Sequence, residues 1–138
     1  PEPISIAVEH KVPAIHKRLR SLQQAAEHGY RIGLRLDPLI DGDNFTSLYT
    51  TLINEISTYL KADQIHSVSL GPLRFPKKMF RQIIKMHPHD PLLNQQFEKN
   101  NKVITYKKKR QSQMENIVRN LLSELAPAEN IFSCIHND

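Results

Sequence analysis

Cysteine occurs once, at Cys134, and tryptophan not at all. A single thiol excludes an internal disulfide, and it cannot by itself supply the thiolates of an iron–sulfur cluster. Glycine is scarce, with four residues, and no Walker loop, GxGxxG fingerprint or nucleophile elbow is present. No apolar run approaches the roughly 18 residues of a membrane span. The opening PEPISIAVEH lacks the charged-then-apolar pattern of a signal peptide. With one cysteine this fits a reducing cytosol, so a cytoplasmic location is expected. Pro1 either follows an excised methionine or is an internal residue of a longer protein. His87 and His89 flank Pro88 without an evident third ligand, so no metal site is expected. No residue is assigned a catalytic role.

What is present is a chain of 138 residues, 39% hydrophobic and 24% charged, enough for one domain with a real core. Lys and Arg number 19 against 14 Asp and Glu, a net +5 that leans toward a polyanionic partner.

The pattern alternates helix and strand. Pro13 opens a helix over 13–28 with Ile15, Leu19, Leu22 and Ala26 on one stripe, and Gly29 stands where a helix ends. In YRIGLRLDPLI, residues 30–40, Tyr30, Ile32, Leu34 and Leu36 share one face of a strand; Arg31, Gly33, Arg35 and Asp37 share the other. A helix over 44–61 follows, capped by Asp43 or Asn44. The strand HSVSLGPL, residues 66–73, separates Val68 and Leu70 from Ser67, Ser69 and Gly71. Pro76 opens a helix to about 86 with Met79, Phe80, Ile83 and Ile84 inside. Residues 88–106 lack a clear period and read as a short hairpin or an irregular loop. A helix over about 111–125 and a strand over 130–136 complete the chain; Cys134 in that strand is expected to be buried and inert.

Such alternation implies an α/β fold with a parallel sheet covered by helices. Three strands and four helices make either a small open α/β domain or part of a (β/α) barrel. If helices cover the apolar face, Arg35 and Asp37 face away from them. A filled barrel prefers bulky branched residues inside. Small and polar residues suit either an open lumen that holds a ligand or a sheet with one wet face.

Two basic clusters flank helix starts: Arg74, Lys77 and Lys78 in LRFPKK, and Lys107, Lys108, Lys109 and Arg110 in TYKKKR, with Lys102 nearby. Cations are locally unfavourable at a helix N-terminus, by about 0.3–1 kcal/mol each. Either they are solvated surface charges or a bound phosphate compensates them. Phe75 and Tyr106 would add stacking surfaces for bases.

Taken in order, EH at 9–10, GYRIGLRLDPLI at 29–40, VSLGPLRFP at 68–76, NNKVITYKKKR at 100–110 and the ending IFSCIHND resemble the C-terminal half of the spore photoproduct lyase family. The resemblance implies that 1–138 is one domain, the C-terminal portion of a partial (β/α) TIM-like barrel with parallel strands and outer helices. It implies a radical enzyme using S-adenosylmethionine (AdoMet) and a 4Fe-4S cluster to repair thymine dimers in DNA. The cluster is held by a Cys-x3-Cys-x2-Cys motif in that family's N-terminal half. This chain has no such motif, so the resemblance implies a longer enzyme whose N-terminal half is the chain's first partner; the chain alone is expected to be inactive. Asp37 and Arg35 then lie beside AdoMet, and Arg74, Lys102, Tyr106, Lys107, Lys108 and Arg110 contact DNA. The family's Arg-Tyr pair in the substrate hairpin is replaced here by a shorter segment. The remaining readings are a stand-alone basic α/β module that binds nucleic acid without catalysis, or an interaction fragment whose lysines do nothing specific.

Overall fold

Apolar residues on one side of two successive strands fix the architecture. In a computed structural model that describes residues 1–9, 11–99 and 103–134, β1 (Ile32–Leu39), β2 (Ile65–Pro72) and β6 (Ile131–Ser133) form a parallel sheet in the order β1-β2-β6. Leu34 pairs with Val68 and Leu36 with Leu70. Ile32, Leu34, Val68 and Leu70 are buried in one core with residues of α2 (Ile15–Glu27), α3 (Phe45–Tyr59) and α5 (Lys108–Leu121). The opposite face carries Gly33 and Arg35, both exposed, and the half-buried Ser67 and Ser69. The alternation in the sequence therefore becomes one packed face and one open face.

A second sheet is antiparallel, in the order β3-β5-β4, from β3 (Arg74–Pro76), β4 (Phe97–Lys99) and β5 (Val103–Tyr106). Residues 88–106 thus hold both forms: a 3-10 turn over Pro91–Asn94 in an irregular stretch, then β4 and β5 paired antiparallel; Lys102 lies outside the described residues. The short β3 was not expected, because Pro76 hides a strand that donates no backbone N–H at its end. Helix α4 (Lys77–Met86) packs on β3 and β5, with Phe80 beside Phe75 and Phe97 at ring-centroid distances of 5.3 and 5.7 Å. A first helix, α1 (Glu2–Val8), buries none of its residues.

Helix boundaries follow the sequence to within two residues at α2 and α3, but Pro13 is a correction: α2 starts at Ile15 with Ala14 at its N-cap, so Pro13 precedes the helix instead of opening it. Gly29 adopts φ +87°, the left-handed conformation that stops α2. Asn44 occupies the N-cap of α3 but makes no side-chain capping bond. Tyr30 is a correction: the strand starts at Ile32 and Tyr30 is 69% exposed. So are Met79 and Ile84, which are exposed while Phe80 alone of α4 is buried. Helix α5 starts at Lys108, so the basic run occupies its first turn rather than preceding it. Cys134 is half-buried rather than buried. The fold is mixed α/β with a parallel three-stranded sheet. Among the described residues, no helix is long and apolar enough to cross a membrane.

Leu70 is fully buried at the sheet's centre. Leu70→Ala is expected to destabilise the chain by about 2–5 kcal/mol in urea denaturation, whereas Ile6→Ser, at a 73% exposed position, should change stability by no more than about 0.5 kcal/mol.

Candidate functional site

Ligands of open parallel sheets bind beyond the carboxyl ends of the strands, and three strands meet there. On β1, Arg35 and Asp37 lie on the open face and pair with each other, Nη2 to Oδ2 at 3.0 Å. Arg35 is largely exposed while the Asp37 side chain is mostly covered. Gly71 of β2 is close-packed: a Cβ built there would lie 3.0 Å from Asp37 Oδ1 and 3.1 Å from the Cβ of Cys134. The Cys134 amide donates to the Leu70 carbonyl, which extends the β2–β6 pairing by one residue. Asp37, Gly71 and Cys134 therefore form one row across the sheet. A cleft of about 310 Å³ runs from Asp37 along β1 against α1, α2 and α3, bordered by Leu34, Leu36, Ile4, Arg18 and Tyr49; Gly71 and Cys134 do not line it.

Past the end of β1, successive backbone groups are tied down by side chains. The Ile40 amide donates to the hydroxyl of Tyr49, and the Asp41 amide donates to the hydroxyl of Tyr106, each at 3.0 Å. The Tyr106 hydroxyl donates in turn to Gln95 Oε1, and Gln95 Nε2 donates to the Asp41 carbonyl at 2.9 Å. Arg110 grips the Asp41 carboxylate with two nitrogens, Nε to Oδ2 at 2.8 Å and Nη2 to Oδ1, and its guanidinium lies 5.8 Å from the centre of the Phe45 ring. Arg110's hydrogen bonds hold the Asp41 carboxyl below its usual value of 3.8, and the same pair raises Arg110. Burial pushes the Tyr49 and Tyr106 hydroxyls up to about 12. A pocket of about 450 Å³ opens beside Asp41, Asp43, Gln95, Lys107 and Arg110.

The expected DNA contacts divide. Arg74, Lys107 and Lys108 are exposed, and none makes an ion pair among the described residues. Tyr106 is a correction: it is 2% exposed with its hydroxyl engaged, so its ring offers no stacking surface to a base. Arg110 is bound to Asp41, so its charge is neutralised inside the fold instead of being presented freely. Both residues position the loop after β1. Asp41 and Gln95 were not singled out from sequence; the one available signal was a carboxylate directly after the apolar end of a strand. His87 and His89 are exposed, and no group of three His, Cys, Asp or Glu able to hold a metal occurs among the described residues.

Because Asp41 titrates lower in the folded state than when unfolded, its contribution is present above about pH 4 and is lost as pH falls through the folded value. Asp41→Asn should cost about 1 kcal/mol at neutral pH, allowing for the partial exposure of the pair. The gap between the two proteins should narrow below about pH 4 in denaturation curves taken across pH. For the tyrosines the sign is reversed: they favour the fold below pH 10, and this is lost as pH rises from 10 toward 12.

No family model and no curated protein matches the sequence. Solved structures match it in fold. A spore photoproduct lyase variant superposes on 95% of this chain with a TM-score of 0.78 at 16% identity. A variant with bound AdoMet and dinucleoside spore photoproduct does so with a TM-score of 0.70 at 16% identity, and the lyase complexed with dinucleoside spore photoproduct with 0.71 at 17% identity. The match takes up 41% of each of those chains, so this chain spans less than half their length. At such identity the likeness is one of backbone. The resemblance carried by residues 29–40 and 68–76 is met at that level: the chain has the fold of the C-terminal part of spore photoproduct lyase.

Proposed function

We propose that the chain is the C-terminal part of a spore photoproduct lyase-like enzyme, completing a partial barrel, lining an AdoMet cleft and contacting lesion-bearing DNA. One observation carries this reading. The face of the parallel sheet turned away from the helices is small and polar, and it ends in Arg35, Asp37 and the close-packed Gly71. That is where this fold class receives ligands, and matching structures hold AdoMet and a dinucleoside photoproduct.

An iron–sulfur cluster does not fit this chain, whose single cysteine supplies one thiolate where several are needed. No step of cluster chemistry belongs to its residues. AdoMet, when bound to such an enzyme, supplies a 5′-deoxyadenosyl radical. Asp37 would accept hydrogen bonds from its polar groups, and Arg35 would hold the carboxylate in place. Asp41, Tyr106, Gln95 and Arg110 would keep the neighbouring loop fixed as substrate arrives. Arg74, Lys107 and Lys108 would meet the DNA backbone.

The free lysines support a second reading, a basic module that binds nucleic acid without catalysis. Both readings require salt-dependent binding to DNA. Each phosphate contact contributes about 0.9 to the log–log slope of affinity against salt. Lys107→Ala and Lys108→Ala should each lower that slope by about this amount in a fluorescence-anisotropy titration; unchanged slopes would remove the DNA surface from both. Gly71→Ala separates them. The added methyl crowds Asp37 and should weaken AdoMet binding to the protein containing this chain, with no change in DNA affinity. Equal AdoMet affinity would argue for the module.

A further inference from the structure

Helix α4 divides its surface unusually. Its apolar centre is used by the core: Phe80 is 8% exposed against Phe75 and Phe97, and Ile83 packs on the same cluster. The outer side carries the exposed Arg81 and Lys85, with the half-buried Lys77 one turn earlier in the same i, i+4, i+8 row and the exposed Lys78 beside them. Three residues so spaced form a row with steps of about 6 Å along the axis. Arg74 of β3 continues the basic surface.

These charges account for the protein's whole excess. From Arg74 to His89 there are five Lys and Arg and no Asp or Glu. The chain has 19 basic and 14 acidic residues, so removing these five leaves 14 against 14. None of the five is ion-paired among the described residues, in contrast to Arg18, Arg35 and Arg110, each of which has a carboxylate partner. A solvated face ordinarily mixes both signs; this one does not.

We propose that the outer face of α4 is a second nucleic-acid contact, in which Lys77, Arg81 and Lys85 follow the phosphates of a duplex flanking the lesion. The inference rests on the DNA-binding reading above and extends it to residues outside the candidate site. Helix α4 packs on β5, which runs directly into Lys107 and the start of α5, so one small sheet supports both basic surfaces. An anionic membrane is less well matched. A helix that lies in a lipid surface buries its apolar face there, and the centre of that face is already committed to the core. The exposed Met79, Ile84 and Met86 flank the core contact and form only its rim.

The test compares a short lesion-free duplex with vesicles of phosphatidylserine and phosphatidylcholine, using the full chain and the double variant Arg81→Gln with Lys85→Gln. Both positions are exposed, and a circular-dichroism melt confirms that the variant folds. The log–log salt slope for the duplex should fall by about 1.8, two contacts at about 0.9 each, with little binding to vesicles. An unchanged slope in this variant alongside a reduced slope for Lys107→Ala would overturn the α4 surface and leave the proposed function standing. Unchanged slopes in both would sink the two together. Binding to the vesicles that is lost in the variant, with duplex binding intact, would assign the face to lipid and overturn the proposal.

Discussion

The grip of Arg110 on Asp41 is the constraint on which the arrangement of the site depends. Asp41 follows the apolar end of β1, and Arg110 lies in the first turn of α5, on a different part of the fold. A bidentate guanidinium–carboxylate pair fixes direction as well as distance. Around it, the hydroxyls of Tyr49 and Tyr106 accept the two amides that β1 leaves without a strand partner, and Gln95 closes the ring through the Asp41 carbonyl. The backbone at the mouth of the parallel sheet is thereby tied to the antiparallel sheet. Among the described residues the two sheets share no strand-to-strand pairing. Leu73, the single residue between β2 and β3, joins them, its amide donating to the Leu39 carbonyl at 3.0 Å and its carbonyl accepting from the Thr105 hydroxyl. The Asp41 cluster adds side-chain ties at this end.

That rigid corner separates two kinds of surface. Inside it, charges are matched: Arg35 with Asp37, Arg110 with Asp41. Outside it, Arg74, the outer row of α4 and Lys107 and Lys108 have no carboxylate partner among the described residues. Matched pairs hold geometry, while unmatched cations attract a polyanion from solution and are discharged by it.

Much of this was legible in the residues. The alternation of Ile32 and Leu34 against Gly33 and Arg35 survives as a packed and an open face, because a period of two can satisfy a one-sided core in only one register; it fades at Leu36 and Asp37, both half-buried, where the register shifts before Leu39. The stop at Gly29 and the span of α3 were likewise set locally. Tertiary choices were not legible. Tyr106 sits in a basic segment and looks like a stacking residue, yet its ring fills the core, since nothing local says on which side of β5 it falls. Arg110 and Lys108 look alike as charges until Asp41 arrives from 69 positions away. Met79 and Ile84 fit the apolar period of α4, but that helix packs on a small sheet that can cover only its centre. The parallel order of the strands follows from the alternation; whether the sheet belongs to a barrel does not, since three strands cannot close one.

The central claim is that these residues are the back of a larger radical enzyme, and the most direct measurement is to sequence the reading frame ahead of the Pro1 codon. The account predicts an in-frame Cys-x3-Cys-x2-Cys segment, which would supply the thiolates that Cys134 alone cannot. A stop codon and start site immediately before Pro1, with no such segment, would contradict it and leave a basic nucleic-acid-binding module.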